Sequence, residues 1–326
     1  MTSKPPVRVA VLDDYQSVAA SMADWGPLAP GAEVEFFHDP AEGEALVRRL
    51  APFPVIVIMR ERTPFPRALI ERLPNLKLLV TTGRRNAAVD LQAATDHGVQ
   101  VCGTDTLSHP TVELAWALIL ALARHIPQEG NALRQGRWQT SLGTGLRGRT
   151  LGVVGLGRLG GEVARIGQAF GMEVIAWSPN LTLERAAEVG VSRVVKAELF
   201  ARADFVSVHM VLSPRSAGLV DAEALGGMKP TAVLVNTSRA GLVDEAALVA
   251  ALSEHRIAGA GIDVWPQEPL PKDHPLLAFD QVVATPHLGY VTEDNFRCMY
   301  SQGVEAVAGW LADAPVRPLN QLEPKA

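Results

Sequence analysis

A glycine-rich turn between a predicted strand and a predicted helix constrains this chain more than any other feature. The apolar run 151–154 leads directly into the sequence GLGRLG, and apolar residues at helical spacing follow it. In such a turn Gly155 permits the tight bend, Gly157 lets the backbone approach a pyrophosphate, and Gly160 lets the helix pack closely on the strand. Three glycines at this spacing also occur in ordinary turns, but a second apolar strand at 172–177 completes a βαβ unit. The pattern therefore predicts a dinucleotide-binding domain.

The end of the second strand bears on which dinucleotide is bound. The helix that begins with Arg158 and Leu159 offers free backbone N–H groups to the phosphates of NAD or of NADP. An acidic residue usually follows the second strand and binds the adenosine ribose, whereas Ser178 stands there in this chain. Ser178 does not repel the 2′-phosphate of NADP, and the next two residues, Pro179 and Asn180, offer no guanidinium to bind it. We therefore expect both NAD and NADP to be usable.

Composition and charge limit the class of protein. The 326 residues are 48% apolar and 20% charged, which is typical of a globular chain long enough for two hydrophobic cores. The net charge of −5 without a basic cluster argues against a nucleic-acid partner. The longest apolar run, 114–123, is too short to span a membrane, and no signal-like apolar core follows the amino end. Cys102 and Cys298 fit a reducing compartment. We expect a cytoplasmic protein without a bound metal ion.

Strand and helix patterns alternate along the whole chain, which favours parallel sheets covered by helices. The first hundred residues form one such unit, and six further strands between positions 151 and 284 form a complete doubly wound nucleotide-binding domain. A final helix over about 295–311 is expected to pack back on the first unit. The predicted fold is therefore α/β with two doubly wound domains. A Rossmann domain of residues 104–290 is inserted into a discontinuous, flavodoxin-like substrate domain of residues 1–103 and 291–326.

The stretch 111–123, shortly after Gly103, differs from the other predicted helices because it is apolar nearly all round. A helix of this kind is buried on several sides. We therefore expect it to lie between domains or between subunits.

Candidate catalytic side chains follow three successive predicted strands of the second domain. Arg239 follows the strand 232–235, Glu268 lies shortly after the next strand, and His287 follows the one after that. The carboxyl ends of parallel strands form the edge at which open α/β sheets bind ligands. A guanidinium there is suited to two-point binding of a carboxylate, although an exposed Arg and a His in a turn are common alternatives. Three such side chains on three successive strand ends favour an active site.

These motifs resemble those of the D-isomer-specific 2-hydroxyacid dehydrogenases, the family that includes phosphoglycerate, formate and D-lactate dehydrogenases and glyoxylate/hydroxypyruvate reductases. The resemblance extends over essentially the whole chain through the segments 155–160, 236–244, 259–269 and 285–289. It implies hydride transfer between NAD(P)(H) and a small 2-oxo acid or D-2-hydroxy acid.

The resemblance and the chemistry of the reaction assign roles to individual residues. Arg239 is expected to hold the substrate carboxylate and polarise the carbonyl group, His287 to deliver the proton, and ionised Glu268 to favour the protonated imidazole. Asp263 is expected to face the nicotinamide carboxamide, with a structural cap as its alternative role. The residues expected at the cofactor are Gly155, Gly157, Arg158, Leu159, Gly160, Ser178, His209, Thr237, Asp263, His287 and Gly289.

The expected substrate loop departs from the family pattern. The family carries Gly-x-Gly followed by Asp-Asn-Ile-Asp, whereas residues 83–90 of this chain read GRRNAAVD. We expect Gly83, Arg84 and Arg85 at the substrate together with Arg239 and His287, and Arg85 in place of the second glycine narrows the space and adds charge. The segment that begins at position 209 reads HMVLS and lacks the proline that the family usually has there.

Four arginines follow two predicted strands near this loop, namely Arg60, Arg62, Arg84 and Arg85. If one of them lines the pocket, the preferred substrate carries a second polar or anionic group. Exposed, solvated arginines are the alternative.

The expected partners are a small 2-oxo or 2-hydroxy acid and a second copy of the chain, joined through the region after Gly103 as in the family. Some family members serve instead as NAD(H)-sensing binding proteins for transcription factors, and intact Arg239, Glu268 and His287 do not separate the two functions. Turnover with a panel of 2-oxo acids separates an enzyme from a cofactor-sensing protein. About fifteen residues follow the last predicted helix, so a regulatory carboxy-terminal domain is not expected.

Overall fold

The computed structural model describes residues 5–322. The chain divides into two compact units: unit 1 consists of Met1–Leu107 with Thr292–Ala326, and unit 2 consists of Ser108–Val291. Each unit is built on its own parallel sheet with helices, so the predicted α/β class is confirmed. Every helix within residues 5–322 is too short or too polar to span a lipid bilayer.

Unit 1 contains a five-stranded parallel sheet in the order β2-β1-β3-β4-β5. Its strands are β1 Val7–Val11, β2 Ala32–Phe36, β3 Val55–Ile58, β4 Leu78–Thr81 and β5 Gln100–Gly103. Its helices are α1 Ala19–Met22, α2 Gly43–Leu50, α3 Arg67–Ile70, α4 Leu91–Asp96 and α12 Glu293–Leu311. This is the flavodoxin-like order, in which the sequence of strands reverses between β1 and β3.

The central strands β3 and β4 are apolar runs, as is typical of parallel strands that are buried on both faces. All four residues of β3 are buried, and so are all four of β4. The last helix, α12, packs on β4 and α1 through buried side chains that include Phe296, Met299 and Tyr300. Both cysteines are free, and burial raises the pKa of the Cys102 thiol to about 11.

Unit 2 contains a seven-stranded parallel sheet in the order β12-β11-β10-β9-β6-β7-β8. Its strands are β6 Thr150–Val154, β7 Glu173–Trp177, β8 Ser192–Arg193, β9 Phe205–Val208, β10 Val233–Asn236, β11 Gly259–Ile262 and β12 Val282–Ala284. Its helices are α5 His109–Ala123, α6 Ile126–Arg134, α7 Arg158–Ala169, α8 Leu183–Val189, α9 Lys196–Arg202, α10 Ala222–Gly226 and α11 Glu245–Ser253. The order is the doubly wound one, and it reverses between β6 and β9. The sequence patterns predict six of these strands and miss β8, because two residues are too few to show a period.

The all-apolar helix α5 belongs to the core of unit 2. Eight of its fifteen residues are buried, and it contacts α7, β10 and β11. Side chains such as Trp116 and Ile119 pack there on Leu151 and Val235. The buried apolar side chains of α5 therefore belong to the hydrophobic core of unit 2.

Candidate active site

The glycine-rich turn connects β6 to α7 where the strand order of unit 2 reverses. Gly155 has a φ angle of +98°, and a Cβ atom there would lie 2.6 Å from the carbonyl oxygen of His209. A Cβ atom at Gly160 would collide with the carbonyl oxygen of Gly155. At Gly157, by contrast, an added Cβ atom would meet no heavy atom of the described residues within 4 Å, apart from its chain neighbours. The space beside Gly157 is therefore open, which fits the close approach of a pyrophosphate.

The start of the twelve-residue helix α7 also fits a phosphate group. Its N-cap is Gly157, and no side chain caps the helix. The amide donors of the first turn, which begins with Arg158 and Leu159, are therefore left to an outside acceptor.

Arg185 lies against the glycine-rich turn, although it is not among the candidates predicted from the sequence. It is on α8, and its guanidinium nitrogens lie 3.3 Å from the Leu156 carbonyl oxygen and 3.5 Å from the Gly157 carbonyl oxygen. It also forms an ion pair of 2.9 Å with Glu188. Ser178 directly follows β7, as expected. The contact of Arg185 with the turn depends instead on how α8 packs against it, and no residue spacing in the sequence indicates that contact.

Two buried polar atoms without partners lie at the carboxyl ends of β9 and β10. The Nε2 atom of His209 is 2.8 Å from Ser207 Oγ, but its Nδ1 atom is buried and has no hydrogen-bond partner among residues 5–322. The same holds for Oγ1 of Thr237. Burial lowers the pKa of His209 to about 4, so its ring is neutral near pH 7. Because unpaired buried polar atoms are costly, these two atoms fit a ligand that bonds to them.

Glu268 and His287 are brought together by the turns that follow β11 and β12. Oε2 of Glu268 lies 2.7 Å from Nδ1 of His287. The His287 backbone has a φ angle of +53°, in the left-handed region that non-glycine residues seldom occupy. Such a conformation costs free energy and is typical of residues held in place for function.

Arg239 emerges from the carboxyl end of the neighbouring strand, β10. Nδ2 of Asn236 donates to its carbonyl oxygen at 2.9 Å, and its own Nη1 donates to the Ser238 carbonyl oxygen at 2.7 Å. Burial disfavours ionisation of Glu268, but the hydrogen bond and charge of His287, with a smaller contribution from Arg239, lower its pKa overall. Arg239, Glu268 and His287 therefore form one electrostatically connected group with an ionised carboxylate.

Asp263 is fully buried at the end of β11 and holds the segment that carries His287. Its carboxylate accepts hydrogen bonds from Oγ1 of Thr285 (2.6 Å) and from the backbone amides of Leu288 (2.7 Å) and Gly289 (2.9 Å). Burial raises its pKa, and these hydrogen bonds counteract the rise only in part. The contacts correspond to the structural alternative for Asp263, and its approach to a nicotinamide stays a prediction.

The expected substrate loop follows β4 in unit 1. Gly83 has a φ angle of +102°, and its amide donates to Oγ1 of Thr104 at 2.9 Å. The Arg84 guanidinium forms an ion pair of 2.5 Å with Asp105. Arg85 lines a cavity of about 290 Å³. The amide of Gly83 and the side chain of Arg84 are thus already engaged within unit 1.

The other two arginines of unit 1 also have partners. The Arg60 guanidinium lies 3.3 Å from the Thr82 carbonyl oxygen, and Arg62 donates to the Asp13 carbonyl oxygen and stacks over the ring of Tyr15. Within residues 5–322, no hydrogen bond or ion pair engages the side chain of Arg85. In the same part of the chain, no group of three His, Cys, Asp or Glu residues is placed to hold a metal ion.

Comparison with protein families identifies the second unit. Residues 116–289 match the family model described as D-isomer specific 2-hydroxyacid dehydrogenase, NAD binding domain. The match includes the glycine-rich turn, Arg239, Glu268 and His287, and it covers more than half of the chain.

Individual relatives agree with this match. The chain is 40% identical over 255 residues to the D-3-phosphoglycerate dehydrogenase of Methanocaldococcus jannaschii, which is 77% of this chain and 48% of the relative. It is 42% identical over 241 residues to that of Mycobacterium tuberculosis, covering 73% of this chain and 46% of the relative. The chain thus spans about half the length of these curated relatives.

A solved structure aligns along most of the chain. The phosphoglycerate oxidoreductase of Vibrio cholerae has a TM-score of 0.90 and 37% identity, over 94% of this chain and 100% of that chain. The family resemblance inferred from the motifs is confirmed: this chain belongs to the D-isomer-specific 2-hydroxyacid dehydrogenase family.

Proposed function

We propose that this protein is an NAD(P)-dependent oxidoreductase that interconverts a small 2-oxo acid and the corresponding D-2-hydroxy acid. The observation that carries the proposal is the 2.7 Å contact between Glu268 and His287, with Arg239 at the neighbouring strand end. These three side chains supply the cation, the proton donor and the supporting carboxylate that the reaction needs. Unit 2 is proposed as the cofactor domain and unit 1 as the substrate domain.

The arrangement of the three side chains sets the direction of proton transfer. Glu268 accepts a hydrogen bond from Nδ1 of His287, which leaves Nε2 as the ring atom that gives its proton to the forming alkoxide. Arg239 holds the substrate carboxylate and polarises the carbonyl group. In the oxidation direction, the neutral imidazole takes the hydroxyl proton through the same atom. When bound, the nicotinamide supplies or accepts the hydride.

The cofactor is proposed to bind along the carboxyl edge of the unit 2 sheet. The open space at Gly157 would receive the pyrophosphate, with amides of Arg158 and Leu159 as donors. The unpartnered atoms of His209 and Thr237 fit contacts further along this edge. The residues proposed to line it, in addition to these, are Gly155, Gly160, Ser178, Asp263, His287 and Gly289.

The proposed substrate carries a second polar or anionic group, which we assign to Arg85. The comparison of the four arginines of unit 1 supports this choice, because Arg60, Arg62 and Arg84 already bond to neighbouring groups. A phosphorylated 2-hydroxy acid such as 3-phosphoglycerate, the substrate in the relatives' names, has such a group.

A second copy of the chain is the proposed protein partner. Side chains on α6 and in the segment that follows it are apolar yet exposed: Ile126 by 59%, Leu133 by 58%, Trp138 by 76% and Leu142 by 94%. Exposed apolar side chains concentrated in one segment are typical of an interface. Sedimentation at micromolar concentration is expected to show a dimer, and a strictly monomeric protein would contradict this assignment.

Turnover by the purified protein tests the proposed reaction. We expect oxidation of NADH or NADPH with glyoxylate, hydroxypyruvate or another short 2-oxo acid, and His287→Ala is expected to lower kcat by roughly 10²–10⁴-fold. The matched control is His109→Ala, which removes an exposed imidazole of unit 2 and is expected to leave kcat unchanged. Cofactor binding without turnover on any acid of the panel would refute the enzyme and favour a cofactor-sensing protein.

A further inference from the structure

Trp265 bonds to Glu268 and to the backbone segment that leads into His287. It lies in the turn between β11 and the short helix 275–278, and its side chain is only 7% exposed. Its backbone N–H donates to Oε1 of Glu268 at 3.1 Å, which leaves Oε2 for His287. One residue therefore orients the carboxylate.

The indole of the same residue holds the backbone that carries the imidazole. Nε1 of Trp265 donates to the carbonyl oxygen of Thr285 at 2.9 Å. The backbone amide of His287 donates to this same oxygen at 3.0 Å. The Thr285 carbonyl oxygen thus accepts hydrogen bonds from both the His287 amide and the indole, and the indole holds it in place.

The surroundings keep the indole in one orientation. Its ring packs edge-on against the ring of His274, with centroids 5.3 Å apart and planes at 74°, and it belongs to a buried apolar cluster with Ile262 and Leu276. His274 is in turn 3.3 Å from Glu245 on α11. A buried indole with a bonded N–H has little freedom to turn, so its hydrogen bond is a rigid constraint.

We propose that Trp265 is a positioning residue that sets the distance between His287 and Glu268 for proton transfer. The proposal rests on the proposed function for its kinetic consequence. The constraint from Trp265 is needed because the His287 backbone has left-handed angles, and such angles persist only when the surrounding structure imposes them. Asp263 holds the carboxyl side of the turn through Leu288 and Gly289 and also accepts from the Thr285 hydroxyl, whereas Trp265 bonds to the Thr285 carbonyl oxygen on the amino side.

The test is Trp265→Phe, which keeps an aromatic ring and the backbone N–H to Glu268 but removes the bond to Thr285. We expect kcat to fall about 5- to 20-fold, the effect of one lost buried hydrogen bond, while the KM of the 2-oxo acid and the Kd of NADH stay within twofold. The solvent deuterium isotope effect on kcat is expected to increase, because proton delivery becomes slower relative to the other steps.

The matched control is Trp116→Phe. Trp116 is also buried in unit 2, with 4% exposure, but its Nε1 has no hydrogen-bond partner among residues 5–322. The substitution removes the same ring volume without removing a hydrogen bond, so kcat is expected to stay within twofold. Trp265→His, which keeps a ring N–H near the original position, is expected to recover part of the turnover lost in Trp265→Phe.

A double-mutant comparison distinguishes positioning from general damage. In the His287→Ala background, Trp265→Phe is expected to cause no further loss of turnover, because the residue acts through His287. An additional loss equal to that in the wild-type background would overturn the proposal. Equal kcat values for the wild type and Trp265→Phe would do the same.

A spectroscopic measurement keeps the test independent of turnover. The hydrogen-bonded Nδ1 proton of His287, assigned by its absence in His287→Ala, is expected to shift upfield in NMR spectra of Trp265→Phe and to stay in place in Trp116→Phe. A wild-type protein without turnover would refute the proposed function, and this resonance would still test the positioning. An unchanged resonance in Trp265→Phe would refute the positioning alone.

Discussion

Gly157→Ala is expected to separate cofactor binding from folding. Apart from its chain neighbours, no heavy atom of residues 5–322 lies within 4 Å of the added Cβ atom, and the φ angle of −76° suits an L-residue. The folded state is therefore expected to change in stability by less than about 1 kcal/mol. The methyl group would instead occupy the open space that we assign to the pyrophosphate.

The size of the binding defect follows from the hydrogen bonds that the pyrophosphate loses. Displacing it from the start of α7 removes one or two bonds to an anion, each worth about 1.5–3 kcal/mol. A total of about 1.5–6 kcal/mol corresponds to a rise of about tenfold or more in the Kd for NADH, and of more than about 1,000-fold where both bonds are lost at full strength.

The assay is fluorescence titration of NADH, with thermal unfolding measured on the same samples. Gly160→Ala is the contrasting variant: its Cβ atom would collide with the Gly155 carbonyl oxygen, so it is expected to lose about 3 kcal/mol or more of stability. Gly145→Ala is the neutral control, since its Cβ atom also meets nothing within 4 Å. Unchanged NADH affinity in a folded Gly157→Ala protein would refute the assignment of this turn to the pyrophosphate.

Three further predictions concern specificity and pH. Ser178→Asp is expected to raise the Kd for NADPH about tenfold or more and to leave the Kd for NADH unchanged, because a carboxylate repels the 2′-phosphate. Equal titration curves for wild type and variant would mean that other residues discriminate between the two cofactors. Arg85→Gly is expected to raise the KM of a diacid or phosphorylated 2-oxo acid about tenfold and to leave the KM of glyoxylate nearly unchanged. Equal effects on the two KM values would exclude Arg85 from recognition of the second group. Since the pKa of Glu268 is lowered, its stabilising contribution is complete above pH 4.5 and is lost as the pH falls through the lowered pKa. In urea unfolding between pH 3 and pH 7, Glu268→Gln should therefore be less stable than wild type near neutrality and converge with it in acid, and a pH-independent difference would contradict this.

Local patterns in the sequence were sufficient for the fold class and the family. Alternating strand and helix periods predict parallel sheets because both are short-range properties of the chain. The glycine-rich turn can be predicted for the same reason, since Gly155 has a local φ angle of +98° and a Cβ atom at Gly160 would meet the carbonyl oxygen of Gly155, five positions away. The close approach of the His209 carbonyl oxygen to Gly155 belongs to the tertiary structure. Arg239 and His287 can be predicted because each lies within three positions of a strand end, and the carboxyl ends of parallel strands lie at one edge of the sheet.

The tertiary structure alone decided which arginine side chains already have bonding partners and what holds the Glu268–His287 pair. Arg84 bonds to Asp105, 21 positions away, and Arg185 reaches the turn at Gly157, 28 positions away. The indole of Trp265 reaches Thr285 across 20 positions. Contacts of this kind depend on the packing of whole elements and leave no period or spacing in the sequence. For this reason residue types and strand ends located the candidate site, but only the folded chain showed how His287 is held.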